Sequence, residues 1–312
     1  MTDKNVLQSF QFDVLEEPKS IYPFSPVYKV EQNGKSYIVK HTQSPIKEAR
    51  KVVSFIEGLK ENEVSVVTPV PLLVNNPQQI GDDVWIVYPF INGEKYTGKK
   101  KEIYEAGKLL GQIHASSSVN NEEALGTYNE FDFEADEITE DVSKIKQFAE
   151  GRGISIDDGN LKNELFRIME NQGTLEKLVL PSVATPYDYK ANNLIYNNHA
   201  EPFLIDPDHA TFLPRLYDIA LALLLFHNEL DTAPTRIFDV EEWILFKSGY
   251  FQYVKLTDVE KAHWLDILKH VYMDEVIWML GEFEEDWDNQ NQLGLFKSLL
   301  AFFNDIDKYD LE

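Results

Sequence analysis

Residues 185–210, TPYDYKANNLIYNNHAEPFLIDPDHA, decide how the rest of the chain reads. They hold Asp188, then Asn193 five positions on, then Asp206 thirteen further, set around two short apolar runs. Apolar runs of this length on either side of a polar turn predict an antiparallel hairpin. With the turn centred on His199 and Ala200, Asn193 is expected to face Asp206, both at the mouth of the hairpin, with Asp188 on the loop leading in. One amide oxygen and one carboxylate, with room left for water and phosphates, suit Mg²⁺, which seldom takes an all-protein cage. A further free carboxylate beside them is placed to orient a hydroxyl for attack.

That is the division of labour in phosphoryl transfer: a loop Asp orients the acceptor, an Asn holds metal, and a second Asp binds the metal that bridges the phosphates. The stretch resembles the aminoglycoside phosphotransferase and choline-kinase-like superfamily, relatives of the protein kinases, whose pattern is His-x-Asp-x4-Asn followed by an Ile-Asp hairpin end. Here it stands as Pro186-Tyr187-Asp188 through Asn193, then Leu204-Ile205-Asp206. PRLYDIA (214–220) is similar to the family's Tyr-Asp-Leu-Ala segment, with Asp218 in its usual place. AGKLLGQIHA (106–115) is similar to its helix ending in Leu-His-Ala, and there His114 is expected to pack in the helical lobe. The resemblance covers residues 20–230. One departure concerns Pro186, which stands where the family has a positioning His.

The resemblance implies a two-lobed, protein-kinase-like α+β fold with ATP and Mg²⁺ as cofactors. Asp188 is then the catalytic residue, and Asn193 and Asp206 are the metal ligands. Lys40, ending the strand SYIVK, looks like the kinase lysine for the α- and β-phosphates, with Glu48 on the next helix as its partner. The phosphate-covering loop falls at YPFSPVYKV (22–30), which has no glycine, and Ser25 is its candidate phosphate contact. VYPFINGE (87–94) looks like the inter-lobe hinge, presenting backbone groups around Tyr88 and Phe90 to adenine. GEKYTGKK (93–100) nearly spells a phosphate loop, but Lys100 stands where the metal-binding hydroxyl belongs.

Pattern along the chain agrees with two lobes. VYKVEQNGKSYIVK (27–40) is a pair of alternating runs joined by Asn33-Gly34, a strong hairpin signal. SPIKEARKVVSFIEGLK (44–60) opens with a helix-entry Ser-Pro and runs at helical period. VSVVTPVPLLV (64–74) and DDVWIVYPFI (82–91) read as further strands around the turn-rich NNPQQIGDD (75–83). From about residue 100 the periodicity is helical. The expected units are an N-lobe, 1–94, with the nucleotide-binding sheet, and a C-lobe, 95–312, with the catalytic loop, metal site and substrate helices.

Composition sets the outer limits. The 312 residues include no cysteine, which excludes disulfides, thiol catalysis and Cys-ligated metal. Net charge is −24, which argues against nucleic acid as a partner. The longest apolar run, IALALLLF (219–226), is far short of a membrane span. A cytoplasmic protein is the expectation. Residues 1–94 carry 9 Lys/Arg against 12 Asp/Glu, whereas 95–312 carry 20 against 41. Such an acidic second lobe attracts a cationic small molecule. Asp274, Trp278 and Glu282 fall at helical spacing, and carboxylates around an aromatic face hold an amine by charge and cation–π attraction.

The reading is therefore an ATP-dependent transferase, a kinase that moves the γ-phosphate to a hydroxyl of a small molecule, aminoglycoside-like or choline-like. Its rivals are a kinase-like binding or structural protein without catalysis, which Pro186 and the glycine-free loop favour, and a protein serine/threonine kinase.

Overall fold

The computed structural model describes residues 2–22, 25–127 and 131–311. Helix α1 (Asp3–Ser9) precedes a hairpin of β1 (Val27–Gln32) and β2 (Lys35–Thr42), paired from Val27 with Lys40 to Gln32 with Lys35. Asn33 and Gly34 both have positive φ, 53° and 73°, as the two central residues of a twisted two-residue hairpin turn require. Helix α2 (Ile46–Glu61) follows, then β3 (Gln78–Ile80) and β4 (Asp83–Pro89), giving an antiparallel sheet in the order β1-β2-β4-β3. Period-two alternation divides β4 between two cores. Val84, Ile86 and Tyr88 join α2 and the helical body. Trp85 and Val87 pack with Val6, Leu7, Phe10 and Phe12 from the N-terminal segment, which closes the other face of the sheet.

Two expectations fail here. Residues 64–74 do not form a strand of the sheet, since Pro69 and Pro71 cannot donate to a ladder. Instead the segment makes one parallel bridge with Leu204: Leu204 N–H donates to Ser65 O and Val67 N–H to Leu204 O, at 3.0 and 2.8 Å. The third short strand arises in the stretch read as a turn.

β5 (Glu94–Lys95) pairs with β7 (Leu194–Tyr196), and β7 with β8 (Pro202–Leu204), so the sheet-rich part and this second hairpin are joined by backbone bonds. The near-match to a phosphate loop is thus a strand and a bend, not a phosphate cradle. The helical body comprises α3 (Lys100–Ser116), α4 (Ala135–Gly151), α5 (Asp158–Leu175), α6 (Arg215–Leu225), α7 (Val240–Tyr250), α8 (Asp258–Val271), α9 (Ile277–Glu282) and α10 (Gln290–Leu300). A π-helical turn, Tyr272–Val276, links α8 to α9. β6 (Ser182–Thr185) pairs with β9 (Thr211–Pro214) beside the hairpin. Helices α3 and α7 cross so closely that a Cβ on Gly107 would lie 1.9 Å from the Phe246 carbonyl oxygen, and one on Gly249 2.0 Å from that of Tyr104. The whole is a mixed α+β fold, a small antiparallel sheet set against a larger helical part.

Among the described residues, no helix is long and apolar enough to cross a membrane.

Candidate active site

Strand β6 delivers the chain to Thr185, which is fully buried. Its hydroxyl donates to Asp218 Oδ2, and the same oxygen lies 3.0 Å from His114 Nε2, while His114 Nδ1 is 2.8 Å from the Tyr250 hydroxyl. Asp218 has no solvent exposure, so this network is what makes its burial tolerable. His114 therefore packs in the helical part as expected, and helps to fix the foot of the loop.

Above it the loop is tightly wound. Tyr187 has φ 64°, in the left-handed region, and Asp188 N–H donates to Pro186 O at 2.8 Å. A single helical turn, Ala191–Asn193, then leads into β7. Asn193 Nδ2 donates to Asp188 O at 2.9 Å and to Asp188 Oδ2 at 3.0 Å. Lys190 Nζ lies 3.2 Å from the same carboxylate oxygen and 2.9 Å from Glu229 Oε2. Burial opposes the charge on Lys190, but Asp188 and Glu229 outweigh it and hold its pKa above the ordinary lysine value.

The hairpin register is one residue off the expected one. Leu194 faces Leu204 and the turn centres on His199, so Asn193 lies opposite Ile205, whose N–H donates to Asn193 O at 3.0 Å. Asp206 follows directly and still arrives at the mouth. The shift comes from a wider turn: Asn197 N–H bonds Glu201 O, with Ala200 at φ 58°.

Lys40 reaches across from β2. Its Nζ lies 2.5 Å from Asp206 Oδ1 and 3.0 Å from Asp208 Oδ2. Burial works against the ammonium, yet Asp208 and Asp206 outweigh it and raise the pKa above the usual lysine value. The expected pair with Glu48 does not form. Glu48 takes Lys51 of its own helix at 2.7 Å, a partner one turn away that costs no rearrangement. The carboxylate that Lys40 needs comes from Asp208, which is also 3.5 Å from the Tyr88 hydroxyl.

Ser25, Lys40, Asp188, Asn193, Asp206 and Asp208 line one cleft of about 630 Å³. Of the loop proposed to cover phosphate, Pro23 and Phe24 lie outside the described residues. At the expected hinge, Tyr88 is paired with Ile38 in the sheet and Phe90 N–H donates to Ser36 O at 3.0 Å, while neither residue is among those that line the cleft. Phe90 instead takes Lys29 over its ring at 4.1 Å.

The stripe at 274, 278 and 282 is kept only in part. Asp274 and Trp278 line a separate cavity of about 560 Å³ between α4 and α9, and Glu282 lines neither that cavity nor the cleft. Burial, followed by the neighbouring Glu275, pushes the Asp274 carboxyl up to about 8. Lys190 was legible only as a lysine two places after Asp188. Glu229 and Glu275 reach the site through tertiary contact alone and leave no signal in the spacing.

The sequence matches the model of the family described as "Phosphotransferase enzyme family" over residues 24–246. No curated protein matches it. Among solved structures, the amicoumacin kinase hAmiN, in complex with AMP-PNP, Ca²⁺ and Ami, is 18% identical, with a TM-score of 0.68 over 100% of this chain and 95% of that one. A spectinomycin phosphotransferase, APH(9)-Ia, with ADP and spectinomycin, is 17% identical, with a TM-score of 0.62 over 98% and 94%. The choline kinase LicA from Streptococcus pneumoniae is 16% identical, with a TM-score of 0.56 over 96% and 97%. At these identities the structural likeness establishes the fold.

Proposed function

The chain belongs to the phosphotransferase enzyme family, and from that premise we propose that it moves the γ-phosphate of ATP to a hydroxyl of a small, cationic acceptor. The observation that carries this reading is the convergence in one cleft of Asp188, Asn193, Asp206 and Lys40 from three separate elements. The nucleotide-bound relatives support ATP as donor.

The donor atoms around Asp206 fit Mg²⁺. Asp206 and Asp208 offer carboxylate oxygens, and Asn193 uses its Nδ2 on the loop, which leaves its oxygen as a ligand. Among the described residues no group of three or more His, Cys, Asp or Glu could hold a metal by itself. That suits an ion which completes its shell with phosphate oxygens and water. When bound, the ion would neutralise charge on the β- and γ-phosphates. Lys40, held by Asp208, supplies positive charge to the phosphates. Asp188, oriented by Asn193 and Lys190, accepts the acceptor hydroxyl's hydrogen bond and its proton as the phosphoryl group arrives.

The acceptor enters over the acidic floor of the same cleft, where Glu229, Asp231, Glu285 and Asp286 stand beyond Lys190. Negative charge there favours an amine-bearing acceptor. The second cavity adds further carboxylates, Glu137, Glu140 and Asp141, beside Trp278.

The test is ADP release with Mg²⁺-ATP across hydroxylated amines, neutral sugars and nucleosides, with Asp188→Asn as control. Turnover confined to amines, with KM rising as salt shortens the screening length, is the expected outcome. Equal turnover in wild type and control, or a preferred neutral acceptor, rejects the assignment.

A further inference from the structure

The residue in front of Asp188 is held in a conformation that its side chain disfavours. Tyr187 has φ 64°, where a Cβ meets the following carbonyl, and bulky residues rarely stay there without an external hold. Locally the turn is closed by Asp188 N–H on Pro186 O at 2.8 Å, a three-residue turn that is itself strained with a positive φ at its centre. The side chain, by contrast, is tied down: the Tyr187 hydroxyl donates to Glu275 Oε1, 88 residues on.

Glu275 is itself placed by an uncommon element. It sits in the π turn Tyr272–Val276, which widens the helix between α8 and α9. π turns of this kind interrupt helices mostly at functional positions. The turn puts Glu275 on the wall of the second cavity, next to Asp274, while Asp188 and His209 lie near enough to bear on its charge. Burial of the Glu275 carboxyl raises its pKa, and the hydrogen bond from Tyr187 works in the opposite direction. The carboxyl is thus satisfied by the loop it restrains.

We infer that Tyr187 and Glu275 are a positioning pair for the reaction: their hydrogen bond holds the loop residue in the left-handed conformation that aims Asp188 into the cleft. The inference rests on the assignment of Asp188 as the group facing the acceptor hydroxyl. It also accounts for Pro186. With no side-chain donor at that position, the loop is fixed from below by Thr185 and Asp218 and from the side by Tyr187 and Glu275. Because Glu275 also faces the second cavity, a ligand entering there would touch the same residue that steadies the catalytic carboxylate.

The experiment compares Tyr187→Phe, Glu275→Ala, Glu275→Gln and the double variant Tyr187→Phe/Glu275→Ala by two readouts. The first is steady-state ADP release with saturating acceptor. Tyr187→Phe and Glu275→Ala should lower kcat about tenfold or more, since small displacements of a reacting group carry losses of that order. KM for ATP should change less than about twofold, because neither residue supports the nucleotide. Glu275→Gln keeps an acceptor oxygen and should recover most of the loss. The double variant should be no worse than the poorer single one, as expected for partners in one interaction. The second readout is hydrogen exchange of residues 187–193, which should quicken in Tyr187→Phe and Glu275→Ala and stay as in wild type for Glu275→Gln. Unchanged kcat and unchanged exchange in both hydroxyl-deleting and carboxyl-deleting variants overturn the pair, as does additivity in the double variant. If wild type and Asp188→Asn turn over equally, the catalytic reading fails instead, and the exchange data still decide whether Tyr187 and Glu275 hold the loop.

Discussion

Lys40 Nζ and Asp206 Oδ1 stand 2.5 Å apart although they lie 166 positions apart in sequence, and this contact joins the β2 strand to the end of the β7–β8 hairpin. On the proposed function, Asp206 would be a ligand of the ion and Lys40 would turn from it to the phosphates when nucleotide binds. Two outcomes are expected from calorimetric titration of ATP. Wild type should bind much more weakly without Mg²⁺, and Asp206→Ala should lose that difference. Equal affinity with and without the ion in wild type rejects the metal assignment. Lys40→Met should lower kcat/KM for ATP by about a hundredfold, the usual loss for one preorganised charge on a transferring group.

Asp208 and Glu48 exchange the roles expected of them. Asp208 is the carboxylate at 3.0 Å from Lys40, whereas Glu48 is engaged by Lys51 and half-exposed. Exposed pairs of the second kind contribute about 0.2–1 kcal/mol, and losing one barely changes a neighbouring site. Glu48→Gln should accordingly leave kcat/KM for ATP within about threefold of wild type. Asp208→Asn removes a buried partner and should lower it by about tenfold or more. The reverse ranking in initial-rate kinetics would restore the helix glutamate as the lysine's partner.

Asn193 at 3.0 Å and Lys190 at 3.2 Å both lie on one carboxylate oxygen of Asp188, which on the proposed function leaves the other oxygen for the acceptor. Asp188→Asn should leave ATP affinity nearly intact while kcat falls by about 10²–10⁴, the range for a general base. Lys190→Met leaves Asp188 and Glu229 without their shared cation and should also lower kcat more than ATP affinity. Wild-type turnover in Asp188→Asn on a confirmed acceptor would remove the residue from the mechanism.

The close crossing of α3 and α7 makes a stability prediction that is independent of chemistry. Gly107→Ala forces a Cβ against the Phe246 carbonyl oxygen, which belongs to backbone and cannot rotate away. The helices must part, and overpacking of this kind costs about 1–3 kcal/mol or more. A denaturant midpoint equal to that of wild type would mean that the crossing is looser than described.

The parts of this fold carried by local pattern were legible in sequence. Asn33-Gly34 marked its hairpin, the period of residues 44–60 marked α2, and Asp188, Asn193 and Asp206 marked the site by order and spacing. What escaped were features decided by distant partners. Residues 64–74 are apolar enough for a strand, but two prolines deny the ladder and leave one bridge to Leu204. Glu48 was the natural helix partner by position, yet a lysine three residues on captures it. The stripe at Asp274, Trp278 and Glu282 assumed an unbroken α-helix; nothing in YMDEV announces the π turn, and Asp274 and Trp278 line a cavity separate from the cleft. Helix α4 does carry a pattern of its own, with Ile138, Val142, Ile145 and Ala149 recurring at helical spacing on the face that packs on α5 and α9.

Asp274 gives the molecule a pH dependence whose sign can be worked out. Its carboxyl is pushed up to about 8 by burial and by Glu275, against an ordinary value of 3.8. One of its oxygens is buried without a hydrogen-bond partner, so ionisation within the fold is unfavourable. The folded protein therefore holds a proton that the unfolded chain releases between those two values. Stability from this group is fully present below about pH 3.8, declines as pH rises, and is gone above about pH 8. An asparagine at the position stays neutral throughout and shows no such decline. Relative to Asp274→Asn, the wild-type Tm should fall progressively from pH 5 to pH 8.5. The cavity around Asp274 also holds Glu137, Glu140, Asp141 and Glu275 against the single Lys144, so rising salt should shallow the slope by screening their mutual repulsion. Parallel Tm curves for the two proteins across that range would show that Asp274 is ionised in the fold and that the cavity is wetter than its walls imply.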